Sequence, residues 1–124
     1  MKITDQGNAK APLMLVHGGA GVYMKDTALL ALRRTFIAEL ILQVWPALLA
    51  GAAAVDAAQQ AIEGLEADPH FNAGRGAVLQ IDGVARLSAS LMDGARQKFS
   101  GVALVTDVIH PSRLAYALQQ KDQT

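Results

Sequence analysis

The sequence predicts an α/β layered sandwich with a largely antiparallel sheet, and three observations carry that prediction. Apolar residues recur every three or four positions from Lys25 to about Leu65, which is a helical period. Beyond residue 77 the period falls to two, with Asp-Gly pairs at Asp82-Gly83 and Asp93-Gly94 marking turns. The helices come as a run and the strands as a run, and that order favours layers over a Rossmann-like alternation.

Taken in order, residues 1–11 form a polar lead-in and residues 12–124 a single partial domain. Residues 12–16 (PLMLV) are a short apolar run that stops at glycines, as a strand buried on both faces would. The first helix starts at Lys25 and carries Leu29, Leu32, Phe36, Leu40, Val44 and Leu48 on one stripe. Gly51 is placed to end it, and Pro46 is expected to kink or shorten its last turn. A second helix buries Val55, Ala58, Ile62 and Leu65, and presents Asp56, Gln59, Gln60, Glu63 and Glu66 to solvent. Asp68-Pro69 ends it, because the residue before proline is pushed out of the helical region. Asp82-Gly83 should join residues 77–81 to residues 84–92 as a hairpin, with residues 99–105 as a third strand. In the second arm Leu87, Ala89 and Leu91 alternate with Arg86, Ser88 and Ser90. His110-Pro111-Ser112 opens a last helix with Leu114 and Leu118 on one side. No internal repeat is present, and the alanine-rich stretch 50–61 is helix-forming.

Composition excludes several functions. The 124 residues are 52% apolar and 18% charged, enough for one small core. Eleven basic residues balance eleven acidic ones, so no basic field for nucleic acid or anionic lipid exists. With no cysteine there are no disulfides, cysteine nucleophiles or thiolate zinc sites. Thr4, Asp5, Gln6 and Asn8 follow closely on Met1-Lys2, so no secretory h-region is expected. The greasiest stretch, residues 40–55, is broken by Gln43 and Pro46 and is too short to span a bilayer. The expected location is cytoplasmic.

Few polar motifs carry chemistry by themselves. The glycine turn at residues 17–21 (HGGAG) lacks the ending of a Walker loop and the spacing of a dinucleotide fingerprint, which favours a close backbone approach between layers. His17 alone reads as a satisfied core histidine. His17, His70 and His110 lack metal-helix spacing, and no Gly-x-Ser-x-Gly elbow is present. Glu63, Glu66 and Asp68 read as a solvated helix face and its end. Asn72, in a loop of small residues, is either a turn former or a hydrogen-bonding group at a reacting centre.

Read together, LVHGGAG, LEADPHFNAGRGAVLQIDG and LSASLMDG resemble, in order and spacing, the plant-type asparaginase/isoaspartyl peptidase family of N-terminal-nucleophile hydrolases. The resemblance covers residues 17–118. It implies an αββα sandwich of which this chain supplies an incomplete portion, the N-terminal part of the α subunit. It implies hydrolysis of asparagine side-chain amides or β-aspartyl peptide bonds by an autoproteolytically exposed threonine. A free α-amine titrates near pH 8, so such a threonine serves as its own base. The family's threonine stands in a Gly-Thr-Val-Gly setting. Here Thr4, Thr27, Thr35, Thr106 and Thr124 all lack a preceding glycine, so no catalytic residue is expected in the chain.

The resemblance assigns supporting roles to Asn72, near the catalytic threonine, and to Gly18 and Gly19, where the first strand passes the site. It also implies a structural sodium ion held by the backbone carbonyls of Leu65, Glu66, Asp68, Phe71, Ala73 and Arg75, and no other cofactor. Three departures stand out: Ser88 where the family carries an aspartate, Ser100 at its small residue, and Pro46 inside a helix. The expectation is a chain inactive alone, whose partner is a β subunit or C-terminal half. An α-like subunit acting in trans and a non-catalytic interaction module are the alternatives. A homo-oligomer is compatible with each, whereas nucleic acid and membrane are not expected partners.

Overall fold

A computed structural model describes residues 11–20 and 26–121. The lead-in up to residue 10, Gly21 of the glycine turn, the expected helix start at Lys25 and Thr124 lie outside the described residues. The elements are α1 (Thr27–Leu49), α2 (Ala54–Ala67), a 3-10 turn (Gly74–Gly76), β1 (Leu87–Asp93), β2 (Lys98–Val105) and α3 (Pro111–Lys121).

Asp26 caps α1, its carboxylate accepting from the Ala28 and Leu29 amides at 3.0 Å each. The helix runs through Pro46 to Leu49, so the expected shortening does not occur. Pro46 and Leu42 both lie on the exposed side, where water can serve the carbonyl that proline leaves without a donor. Gly51 stands past the end with φ of +91°, as the sequence predicts. Of the predicted stripe, Leu40 and Val44 are buried and Leu32 is exposed.

The second helix is packed on two sides, which corrects its predicted polar face. Ala57 and Ala61 meet Leu40 and Val44 of α1, while Val55 and Ile62 meet Leu91 of β1 and Ala115 of α3. Gln59 and Glu66 are therefore buried and Ala58 is exposed. Asp68 is extended at ψ 127°, ending the helix as its proline neighbour requires.

The sheet is a two-stranded antiparallel hairpin about residues 94–97. In β1 Leu87, Leu91 and Asp93 face inward, while Ser88, Ser90 and Met92 are exposed. A bulge interrupts the register between Leu87 and Ala89, and there the Leu104 amide donates to Ser88 Oγ at 3.2 Å. The last helix lies over the inner face. Gln119 donates to the Leu91 and Lys98 carbonyls, and Ser100 Oγ donates to the Ala115 carbonyl at 2.7 Å. The buried face of α3 is Pro111, Ser112, Ala115 and Gln119, and Leu114 and Leu118 are exposed.

Two predicted strands do not form ladders among the described residues. Residues 12–16 carry no strand pairing; Met14 and Val16 pack on the α1–α2 core, while Leu13 and Leu15 are each 92% exposed. The run expected to be buried on both faces is thus covered on one. The Asp82-Gly83 turn forms, with the Gln80 amide donating to the Val84 carbonyl at 3.0 Å. Its arms go no further, and Val78, Leu79 and Ile81 stand exposed. A strand needs an opposing ladder as well as a period-2 pattern, and neither segment has one here. The described residues hold three α-helices and an antiparallel strand pair, compatible with an incomplete α/β layered fold.

Candidate functional site

The glycine turn and the asparagine loop meet. His17, Gly18, Gly19 and Ala20 line one wall of an open cavity of about 420 Å³, and Leu65, Phe71, Asn72 and Ala73 line the other. Arg33 of α1 completes it. Gly18 is what allows the approach: a Cβ there would lie 2.8 Å from the Phe71 ring and 2.9 Å from Ile37 Cδ1. The predicted close backbone approach is therefore found. Phe71 is buried, tilted against Phe36 with ring centroids 5.5 Å apart, and the Arg33 guanidinium lies 5.9 Å from its centroid.

His17 is exposed, which corrects the reading of it as a core histidine. Its Nδ1 accepts from the Gly19 amide at 3.1 Å. With Nδ1 as the acceptor, the ring's N–H is the one on Nε2. Asn72 is exposed as well, and its Oδ1 accepts from the Val78 amide at 2.9 Å. The bond settles which side of the Asn72 amide is oxygen and leaves the NH2 as its remaining donor.

Next to this cavity the loop of residues 68–76 is folded tightly on itself. Asp68 Oδ1 bonds the His70 amide at 2.8 Å and His70 Nδ1 at 2.9 Å. The Ala73 amide donates to the Phe71 carbonyl, and the Gly76 amide to the Ala73 carbonyl. Any Cβ on Gly74 would overlap the Glu66 and Ile109 carbonyl oxygens, and any Cβ on Gly76 those of Phe71 and Pro69. Main-chain oxygens thus gather along the loop, and Arg75 points its bulk to solvent. Of the six carbonyls that the resemblance names, those of Glu66 and Phe71 are among these close oxygens, and a carbonyl with one hydrogen bond keeps a second lone pair. Among the described residues no group of three His, Asp or Glu side chains could hold a metal.

Glu66 is the clearest correction to the sequence reading. Its side chain is not on a solvated face: the residue is 3% exposed. Oε1 accepts from the Ser112 amide at 3.1 Å, and Oε2 from Ser112 Oγ at 2.7 Å, with His110 Nδ1 at 3.3 Å. Gln59 Nε2 reaches Ser112 Oγ at 3.1 Å and Glu63 Oε1 at 3.0 Å. A carboxylate at the first turn of α3 satisfies donors that the helix itself leaves orphaned. Neither this cluster nor Arg33 was found by the sequence reading. The i, i+3 spacing of Glu63 and Glu66, with His110-Pro111-Ser112 at a helix start, is the only signal that pointed there.

The asparaginase family profile matches residues 10–124. Similarity to curated proteins agrees. An isoaspartyl peptidase/L-asparaginase of Synechocystis is 46% identical over 87% of this chain and 32% of its own length. One from Nostoc is 43% identical over 87% of this chain and 34% of its own. A plant-type L-asparaginase of Pyrococcus abyssi is 36% identical over 87% of this chain and 35% of its own. The chain belongs to the asparaginase family. It spans about a third of the length of the curated relatives it matches. No helix among the described residues is long and apolar enough to cross a membrane.

Proposed function

We propose that this chain is the N-terminal portion of an asparaginase/isoaspartyl-peptidase-like amidohydrolase that cleaves asparagine side-chain amides or β-aspartyl peptide bonds. The observation that carries the reading is the convergence of the glycine turn and the Asn72 loop on one cavity, in a chain of this family. The nucleophile in this reading is a threonine from outside these residues, freed by autoproteolysis, since none of the five threonines follows a glycine. Its α-amine takes the hydroxyl proton, the hydroxyl oxygen attacks the amide carbonyl, the protonated α-amine returns the proton to the departing amine or ammonia, and water then hydrolyses the acyl ester to free the threonine. Asn72 offers its NH2 beside that centre. Gly18 and Gly19 keep side chains out of the approach. The carbonyls of Leu65, Glu66, Asp68, Phe71, Ala73 and Arg75 hold a sodium ion that stiffens the loop under Asn72.

The covering half is supplied either by the continuation of the same polypeptide or by a separate β chain. The bare outer face of the hairpin, with Met92 and Phe99 exposed, supports a need for such cover. The test is to assay ammonia release from asparagine and aspartate release from a β-aspartyl dipeptide. It compares the purified chain with the chain joined to, or coexpressed with, a segment beginning at a Gly-Thr-Val-Gly threonine. Activity only in the second arm is expected. Activity of the 124 residues alone, surviving stringent purification, would overturn the assignment of the nucleophile. Inactivity of both arms, with the two halves shown to associate, would favour an interaction module.

A further inference from the structure

We propose that the Asp82-Gly83 turn is a modification site, where the aspartate isomerises spontaneously to a β-linked residue, and that the fold protects Asp93-Gly94 from the same reaction. The sequence holds these two Asp-Gly pairs. Glycine follows the aspartate in both, so no side chain obstructs the next nitrogen and the intrinsic chemistry is matched.

The reaction needs no co-reactant beyond water. The glycine nitrogen attacks the aspartyl Cγ, the N–Cγ bond forms, and the carboxyl OH leaves as water with the amide proton. Water then opens the cyclic imide. Breaking the N–Cγ bond restores aspartate. Breaking the bond between that nitrogen and the main-chain carbonyl carbon leaves the chain running through Cγ. The carboxyl group must therefore be free to swing onto the next nitrogen, and the turn must open to let it.

The two sites differ in both respects. The Asp82 side chain is 48% exposed and that of Asp93 only 7%. Asp93 closes β1 and pairs with Lys98 across the ladder. Its Oδ1 accepts from the Ala95 amide at 2.9 Å and from the Arg96 amide at 3.2 Å, so the side chain is committed to the turn. Asp82 lies in a turn whose arms form no ladder. The Gly83 amide donates to the Gln80 carbonyl at 2.8 Å, and Asp82 Oδ1 accepts from the Val84 amide at 3.2 Å. With so few exposed hydrogen bonds to break, this turn opens locally far more often than the hairpin end. Each carboxylate has an arginine close by, Arg86 or Arg96, so an ion pair is not what separates them.

Arg86 restrains the open site. Its Nη1 donates to Asp82 Oδ1 at 3.0 Å, and its Nη2 stands 2.7 Å from Oδ2. This fork holds the Asp82 carboxyl below its ordinary value. An ionised carboxylate resists attack, because its oxygen leaves as water only when protonated. Isomerisation puts an extra methylene into the main chain at residue 82 and moves the carboxylate to another carbon, which breaks the fork.

The experiment ages the 124-residue protein at physiological temperature and neutral pH. Trypsin cleaves after Arg75, Arg86 and Arg96, which puts the two sites on separate peptides, 76–86 and 87–96. Chromatography resolves the isomers, and electron-transfer fragmentation identifies them. Conversion at Asp82 should be at least roughly tenfold faster than at Asp93, whose two hydrogen bonds to a charged group must first be lost. In denaturant the two rates should converge. Arg86→Gln should speed Asp82 by roughly two- to fivefold, the effect of losing one exposed ion pair, and leave Asp93 unchanged. In that variant fragment ions separate the sites within peptide 76–96. Equal rates in native buffer, faster conversion at Asp93, or a contrast that survives denaturant would each overturn the proposal. An Asp82 rate unchanged or lowered by Arg86→Gln would overturn the restraint assigned to the arginine. Should that variant unfold, the comparison of the two sites in the unaltered protein still decides.

Discussion

The α2–α3 junction and the segment preceding α1 are built on opposite terms. At the junction most polar groups that go inside meet a partner: Glu66 serves the Ser112 amide and hydroxyl, and Gln59 Nε2 links Ser112 to Glu63, while Gln59 Oε1 is left without one. Residues 12–16 and 77–81 form no ladder, and Leu13, Leu15 and Ile81 face outward. The first region is closed by contacts within the chain. The second has apolar side chains and strand-like sequence with nothing described opposite them. The difference separates a part of the fold held by buried contacts from a part whose apolar side chains stand at the surface.

The largest test of that contrast is at Gly74, the point where the closed region meets the cavity loop. A Cβ there would overlap two backbone carbonyls, of Glu66 and Ile109, and the residue sits at φ of +46°. Backbone oxygens cannot swing aside as a side chain can. Gly74→Ala should destabilise by about 3 kcal/mol or more, combining overpacking with an unfavourable dihedral. Chemical denaturation reads this directly, and a cost under about 1 kcal/mol would mean the loop is not pinned between α2 and α3.

Glu66→Ala comes next. It strands the Ser112 amide and hydroxyl in a buried place, at a cost of about 2–4 kcal/mol. Glu66→Gln keeps an acceptor for one of them and should cost less. If the alanine variant melts with the parent, the junction is held by apolar packing of Val55, Leu91 and Ala115, and the polar cluster is incidental.

At the open region the effect should nearly vanish. Leu15→Glu alters a side chain that is 92% exposed, so the stability of this chain should change by no more than about 0.5 kcal/mol. Self-association, followed by light scattering, should fall, because an unpaired apolar edge has gained a charge. Loss of folding in the isolated chain would show that residues 12–16 are already paired within it.

How far the sequence anticipated this arrangement follows the same divide. Local chemistry was legible: Gly51 past α1, Asp68-Pro69 ending α2, Asp93-Gly94 turning the hairpin, and Pro111 opening α3 are each short-range signals. The resemblance implied only that Gly18, Gly19 and Asn72 each lie near the site; that the HGG turn meets the Asn72 loop comes from the structure. Glu66 was misread because helical periodicity assigns one buried face, and a helix flanked by α1 on one side and by β1 and α3 on the other has two. Arg33 was invisible for a related reason. Its guanidinium reaches across from α1 to Phe71, 38 positions away, and no local pattern encodes that contact.

The smallest expected effect sharpens the comparison from the charged side. Arg113 donates to the Glu63 carboxylate at the rim of the same junction, and its side chain is 62% exposed. That hydrogen bond holds the Glu63 carboxyl below its ordinary value near 4.5, against the opposing effect of partial burial. A folded value below the unfolded one means the pair stabilises the fold above the unfolded value, and the gain disappears as pH falls through the folded value. Exposure and salt screen such a pair, so Arg113→Gln should move the melting temperature by less than about 2 °C at neutral pH. At pH 3 in the same buffer, or at neutral pH in molar salt, that small difference should close further. The Glu66→Ala loss should persist in salt, since it comes from buried donors left without an acceptor. A rim substitution as costly as Glu66→Ala would reverse the ordering and place the strength of the junction in its charges.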